Sequence, residues 1–150
     1  MITCKMPKAV YFGEGALDQL ASLKQSKKVA VFSDRGIEKT GLLELPLNVL
    51  KENAIPYETL LDLPAEPTCD QAEQVVEAFQ KTGADAILAV GGGSVMDVAK
   101  LCSILADGSC SVRDLLADPK KGHKSIRTVM IPTTAGTGAE ATPNAIVAVP

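Results

Sequence analysis

Apolar positions along this chain fall into short β-rich runs separated by stretches with helical spacing. Ala9 to Phe12 in "KAVYFGEG" reads as a short strand stopped by Gly13 and Gly15. Leu17, Leu20 and Leu23 then share one face of a helix. Val29 to Phe32 in "KKVAVFSD" forms a second strand with Asp34 just past its carboxyl end. The helical stretch "LLELPLNVLKENA" is interrupted by Pro46, which predicts two short helices or one kinked one. "IPYETLLD" is a third strand. In "AEPTCDQAEQVVEAFQKTGA", Thr68 is placed as an N-cap, Val75, Val76 and Phe79 as anchors, and Gly83 as a stop. "DAILAV" is apolar on both faces, as a strand covered on two sides would be. A helix opens at Ser94, carries Val95, Val98, Ala99 and Cys102, and ends about Ala106. One short helix follows around Val112 to Leu116, then the strand "IRTVMIP", the loop "TTAGTGAEATPN" and a closing strand "AIVAVP".

Strands alternating with helices of about ten residues predict an α/β domain with a mostly parallel sheet. The 150 residues suffice for one domain with a sizeable core. The strand that ends the sequence has nothing after it to cover it, so a longer chain is expected to continue beyond Pro150.

Composition narrows the functional classes. A formal net charge of -3 offers no basic footprint, and aromatic residues at 3% leave few rings to stack on bases, which excludes nucleic acid as a main partner. The N-terminus lacks an apolar signal-peptide core, and "ADAILAV" is too short to cross a bilayer, so no membrane role and a cytoplasmic location are expected. Cys4, Cys69, Cys102 and Cys110 are scattered without a CxxC pair and read as free thiols. His123, the only histidine, sits in the polar turn "KKGHKS" and is expected at the surface, without companions for a metal site.

The stretch with most chemical content is "AVGGGSVMDVAK". Three glycines between a strand and a helix permit unusual backbone angles and let a ligand approach the main chain. The helix start behind them offers unpaired N–H groups to an anion, each interaction contributing ~0.3–1 kcal/mol. There is no GxxxxGK[ST] and no GxGxxG. Gly91, Gly92, Gly93 and Ser94 thus form either an anion cradle of a different kind or a plain tight turn. Asp97, in the first turn, would repel a nearby phosphate; it suits a backbone or cofactor hydroxyl partner, and Lys100 at i+3 could pair with it. Asp34 occupies the strand edge where a ribose diol can be read, or caps the following turn. "PTTAGTGAE" supplies Thr133, Thr134 and Thr137 after another strand, and two polar glycine loops on one carboxyl edge favour a shared crevice. Glu140 is a candidate base or a solvated carboxylate.

"GGGSVMDVAK" followed by "PTTAGTGAEAT", with "PKAVYFGEGALDQL" and "VAVFSDRGIEKTGLL" upstream, resembles the iron-dependent, or group III, alcohol dehydrogenases over essentially the whole chain. The resemblance implies a Rossmann-like three-layer domain of the dehydroquinate-synthase-like type. It implies that residues 1–150 form the NAD-binding part, and that an all-helical domain beyond them holds Fe(II), or sometimes Zn(II), on one aspartate and usually three histidines. Gly91, Gly92, Gly93 and Ser94 then correspond to the pyrophosphate turn, Asp97 to an aspartate beside the cofactor, and Thr133, Thr134 and Thr137 to the loop around adenine, ribose and nicotinamide. Asp34 corresponds to the acid that favours NAD over NADP. Gly138 replaces the aspartate of the glycerol dehydrogenase branch. The implied reaction is reversible hydride transfer between a primary or secondary alcohol and NAD in an enzyme that forms homo-oligomers, the present piece being inactive alone. The alternatives are a free-standing non-catalytic nucleotide-binding module and a glycerol-dehydrogenase-like or dehydroquinate-synthase-like enzyme.

Overall fold

The computed structural model describes residues 7–148. Four strands, β1 (Val29–Phe32), β2 (Tyr57–Leu60), β3 (Ala86–Gly91) and β4 (Arg127–Pro132), form one sheet in the order β2-β1-β3-β4. All three pairings are parallel. Every residue of β1 and β3 is buried, because these two central strands are covered on both faces. Successive side chains alternate between two cores. Ala30, Phe32, Ile87 and Ala89 face one core; Val29, Val31, Leu88 and Val90 face the other.

Five α-helices accompany the sheet: α1 (Arg35–Lys39), α2 (Glu44–Glu52), α3 (Cys69–Thr82), α4 (Gly93–Leu105) and α5 (Val112–Ala117). The first core receives Val75, Val76 and Phe79 of α3, Val98, Ala99 and Leu105 of α4, and Val112 of α5. Phe32 and Phe79 meet there with ring centroids 5.9 Å apart. The second core receives Leu50 of α2 together with Leu20 and Leu23. Helix α3 starts and stops as its sequence dictates. Thr68 and Gln71 form a reciprocal capping box, and Gly83 closes the helix in the left-handed conformation.

Several expectations are corrected. The segment Leu17–Leu23 is helical, but as a 3₁₀ helix over Ala16–Gln25. Its leucines recur every third residue, which lines them up along a helix of three residues per turn. Pro46 does not split α2. It is the third residue of that helix, where its missing N–H would have had no partner anyway. Ala9–Phe12 is not a strand: Val10, Tyr11 and Phe12 are exposed, with Phe12 fully so. Among the described residues no neighbouring strand pairs with them, and β propensity without a partner does not make a sheet. The strand expected over Ala145–Pro150 reduces, among the described residues, to one bridge between Thr68 and Ala148, and its last two residues lie outside them. Cys69, Cys102 and Cys110 are free thiols, while Cys4 lies outside the described residues. Burial pushes the Cys102 thiol far up, so it stays protonated. His123 is exposed and pairs with Asp107 at 3.1 Å. No helix among the described residues is long and apolar enough to cross a membrane.

At the amino-terminal edge, Asp85 ties the entry of β1 to that of β3. Its carboxylate accepts from the backbone N–H of Lys27 at 3.1 Å and of Lys28 at 3.2 Å. Burial alone would raise its pKa and is the largest single influence. The N–H groups of Lys27, Lys28 and Asp85 itself together outweigh it and hold the group below the usual carboxylate range. A depressed folded-state pKa stabilises the fold fully above the unfolded pKa of about 3.9 and loses that contribution as the pH falls through the folded value. Asp85→Ala should therefore destabilise by about 1–2 kcal/mol at neutral pH, with the deficit shrinking below about pH 4. Urea denaturation of both proteins at pH 7 and pH 3 checks this; an equal deficit at both pH values would contradict it.

Candidate functional site

The strand order creates the site. From β1 the chain moves to β2 on one side, and from β3 to β4 on the other, so the carboxyl ends of β1 and β3 form a topological switch point. Phe32 is the last residue of β1 in register, opposite Ala89, whereas β3 and β4 run on together to Gly91 opposite Pro132. Ser33 marks the parting. Its N–H donates to the Leu60 carbonyl at 3.1 Å and its hydroxyl to the Val90 carbonyl at 2.7 Å, in full burial. Sequence reasoning missed Ser33; a hydroxyl closing an apolar strand beside a candidate acid is the signal that could have found it.

The three glycines sit at the end of β3 and the start of α4, with Gly92 as N-cap and Gly93 as the first helical residue. None of them has a left-handed φ, so unusual backbone angles do not explain the run. Crowding does. A Cβ on Gly91 would lie 2.8 Å from Val95 Cγ2 and 2.9 Å from its Cβ. One on Gly92 would stand 3.3 Å from Thr134 Oγ1, and one on Gly93 3.3 Å from Thr137 Cγ2. The glycine turn and the threonine loop therefore touch, and the Thr133 N–H donates to the Gly91 carbonyl at 2.9 Å. In that loop Gly136 and Gly138 do take left-handed φ values of 110° and 65°.

No side chain caps α4, whereas Asp34, Thr68 and Ser111 cap α1, α3 and α5. The first N–H groups of α4 and its positive dipole end thus face the switch point without a side-chain acceptor. Ser94, in the first turn, is partly exposed beside them. Asp34 follows β1 directly, and its Oδ1 accepts the Ile37 N–H at 2.9 Å as an N-cap. Neighbouring Arg35 is held away by Asp62, through Nε–Oδ1 at 2.9 Å and Nη2–Oδ2 at 3.0 Å, and by Glu38. The hydrogen bond from Arg35, followed by its charge, lowers the Asp62 pKa. Thr133 carries a buried hydroxyl oxygen with no hydrogen-bond partner. An orphaned buried hydroxyl beside the glycine turn calls for a partner among the groups that can approach it. Asp97 and Lys100 are both 8% exposed and pair at 3.0 Å. Glu140 is exposed.

A parallel sheet with a switch point between β1 and β3, covered by helices, defines a Rossmann-like α/β domain. The family model for iron-containing alcohol dehydrogenases matches residues 7–150. Long-chain-alcohol dehydrogenase 1 of Geobacillus thermodenitrificans is 35% identical over 143 residues, covering 91% of this chain and 36% of that protein. Aldehyde-alcohol dehydrogenase 2 of Entamoeba histolytica is 31% identical over 156 residues, with 95% and 18% covered. The crystal structure of an iron-containing alcohol dehydrogenase from Thermotoga maritima superimposes with a TM-score of 0.86 at 33% identity, over 99% of this chain and 42% of that one. The chain belongs to the iron-containing alcohol dehydrogenase family and corresponds to its NAD-binding module. It spans between about a fifth and just over a third of the length of these two curated relatives.

The residues present fit a dinucleotide: open backbone donors, an acid after β1 and an orphaned hydroxyl share one edge. Among the described residues, no three His, Cys, Asp or Glu side chains converge to hold a metal ion.

The crowding at Gly91 is directly testable. Gly91→Ala should destabilise by about 1–3 kcal/mol through overpacking against Val95. Adding Val95→Ala should recover part of that loss, which a double-mutant cycle of thermal or urea denaturation measures. Additive effects of the two substitutions would reject the contact as the reason for the glycine.

Proposed function

We propose that residues 1–150 are the cofactor-holding domain of an NAD-dependent, iron-type alcohol dehydrogenase, of the dehydroquinate-synthase-like fold. The observation that carries this reading is the meeting of Gly92 and Gly93 with Thr134 and Thr137 at the β1/β3 switch point. In this reading the N–H groups of Gly92, Gly93 and Ser94, with the close approach that Gly91 permits, hold the pyrophosphate. The ribose hydroxyls fall to Asp34, whose Oδ1 already serves α1. Thr133, Thr134 and Thr137 orient the remainder, with the Thr133 hydroxyl gaining the partner it lacks. NAD supplies a hydride acceptor when bound.

The substrate is a small alcohol or aldehyde, and Fe(II) or Zn(II) is held by residues beyond 150, in a helical domain. The chain alone binds cofactor at most. A cofactor preference for NAD is supported by the Asp34 charge and by the engagement of Arg35 with Asp62 and Glu38, which keeps that guanidinium from a 2′-phosphate. Exposed Val10, Tyr11 and Phe12 support packing against further protein in an assembled homo-oligomeric enzyme.

Fluorescence titration tests the reading. NADH should bind saturably below about 1 mM and more tightly than NADPH. Asp34→Asn retains a carbonyl oxygen for the Ile37 N–H while removing the charge. It should shift the NADPH-to-NADH affinity ratio about tenfold towards NADPH, a change of about 1.4 kcal/mol. A folded chain that binds neither nucleotide would overturn the assignment.

A further inference from the structure

The Asp97–Lys100 pair does more than join two neighbouring side chains on α4. Lys100 Nζ donates to Asp97 Oδ1 at 3.0 Å, to Thr142 Oγ1 at 3.3 Å and to the Asn144 carbonyl at 2.7 Å. An ammonium has three protons, and each has an acceptor here. Asp97 Oδ2 accepts the Ile146 N–H at 3.1 Å, so both carboxylate oxygens are also engaged. Three of these four contacts reach 142–146, a segment without helix or strand, and the fourth joins the pair itself.

The threonine loop lies immediately before that segment. It is fixed at its start by the bond from Thr133 N–H to the Gly91 carbonyl. At its far end, the Ala141 and Thr142 N–H groups turn back to the Gly138 carbonyl, and Lys100 takes hold of Thr142. Both fixings belong to the β3–α4 unit that also carries the glycine turn. Between them Thr134 and Thr137 lie against Gly92 and Gly93.

We propose that Asp97 and Lys100 form a clasp that positions the threonine loop on the glycine turn, so that Asp97 acts on cofactor binding through this loop and without touching the cofactor. The proposal rests on the cofactor-binding reading above. The clasp itself is a matter of chain anchoring and is measurable separately. With it closed, the loop is tethered at both ends and NAD meets a preformed crevice. With it open, the nearest remaining fixings are Thr133 on one side and the Ala148 bridge on the other, and binding must order the stretch between them first, which weakens affinity.

Two variants of the full chain test this. Asp97→Asn combined with Lys100→Met removes both charges together and leaves no buried ion unpaired. Ile146→Pro deletes the N–H that Asp97 receives and fixes φ there, at a residue that is 75% exposed, and leaves the buried pair and the Lys100 contacts in place. Amide hydrogen exchange by NMR and NADH titration are the readouts. In the double variant, exchange at Ile146 and at Thr142, whose N–H donates to the Gly138 carbonyl, should accelerate at least tenfold while Ile87 and Leu88 in β3 keep their protection, and the NADH Kd should rise about tenfold. In Ile146→Pro, Thr142 should be released to a smaller extent, with a smaller rise in Kd. Unchanged exchange at Thr142 in Ile146→Pro would overturn the clasp, and this variant decides if the double variant does not fold. Released loop amides with NADH affinity within twofold of the unmodified chain would overturn its link to binding. Failure of the unmodified chain to bind NADH overturns the functional reading instead, and the clasp is then decided by exchange at Ile146 and Thr142.

Discussion

Close approach at the end of β3 is the constraint on which the rest of this structure depends. Gly91 leaves room for Val95, so α4 can turn back over the sheet directly after the strand. Gly92 and Gly93 leave room for Thr134 and Thr137, so a loop from beyond β4 can settle on the helix start. Three absent side chains thereby join two segments some forty residues apart into one surface. The same crowding keeps the first N–H groups of α4 clear of side-chain caps, although α3 and α5 are each closed by a capping box. A helix start left open at a switch point is an electrostatic feature that a pyrophosphate can complete.

The two edges of the sheet are built differently. At the amino-terminal edge Asp85 binds the entries of β1 and β3 together, and Lys28 reaches the Thr82 carbonyl at 3.0 Å. At the carboxyl edge the strands part after Phe32, and the fully buried Ser33 spans the gap to Val90. The sheet is thus stitched at one end and parted at the other. The cores on either face hold its strands in place, through Phe79 on one side and Leu50 on the other.

Much of this was legible before any coordinates. The apolar runs at Val29–Phe32 and "DAILAV" placed the two central strands, because strands covered on both faces admit no polar positions. Thr68 and Gly83 marked α3, since capping is local chemistry. Elements that depend on a distant partner were misread. Ala9–Phe12 and the closing segment have strand-like composition but no adjacent ladder among the described residues. Period-three leucines were read as an ordinary helix, although their strict spacing suits the tighter 3₁₀ form.

The sequence by itself determined the α/β alternation, the two central strands, the capped helices and the pair of glycine-bearing loops, all of which follow from periodicity and local backbone chemistry. It also carried the motifs by which the family could be named. Tertiary structure alone decided why the glycines are glycines, since the neighbours that crowd Gly92 and Gly93 come from another loop. It alone turned Asp97 and Lys100 from an i,i+3 pair into a three-point anchor for residues 142–146. Contacts of that kind have no local signature. They exist because strand order brings distant segments to one edge, and spacing along the chain carries no record of that order.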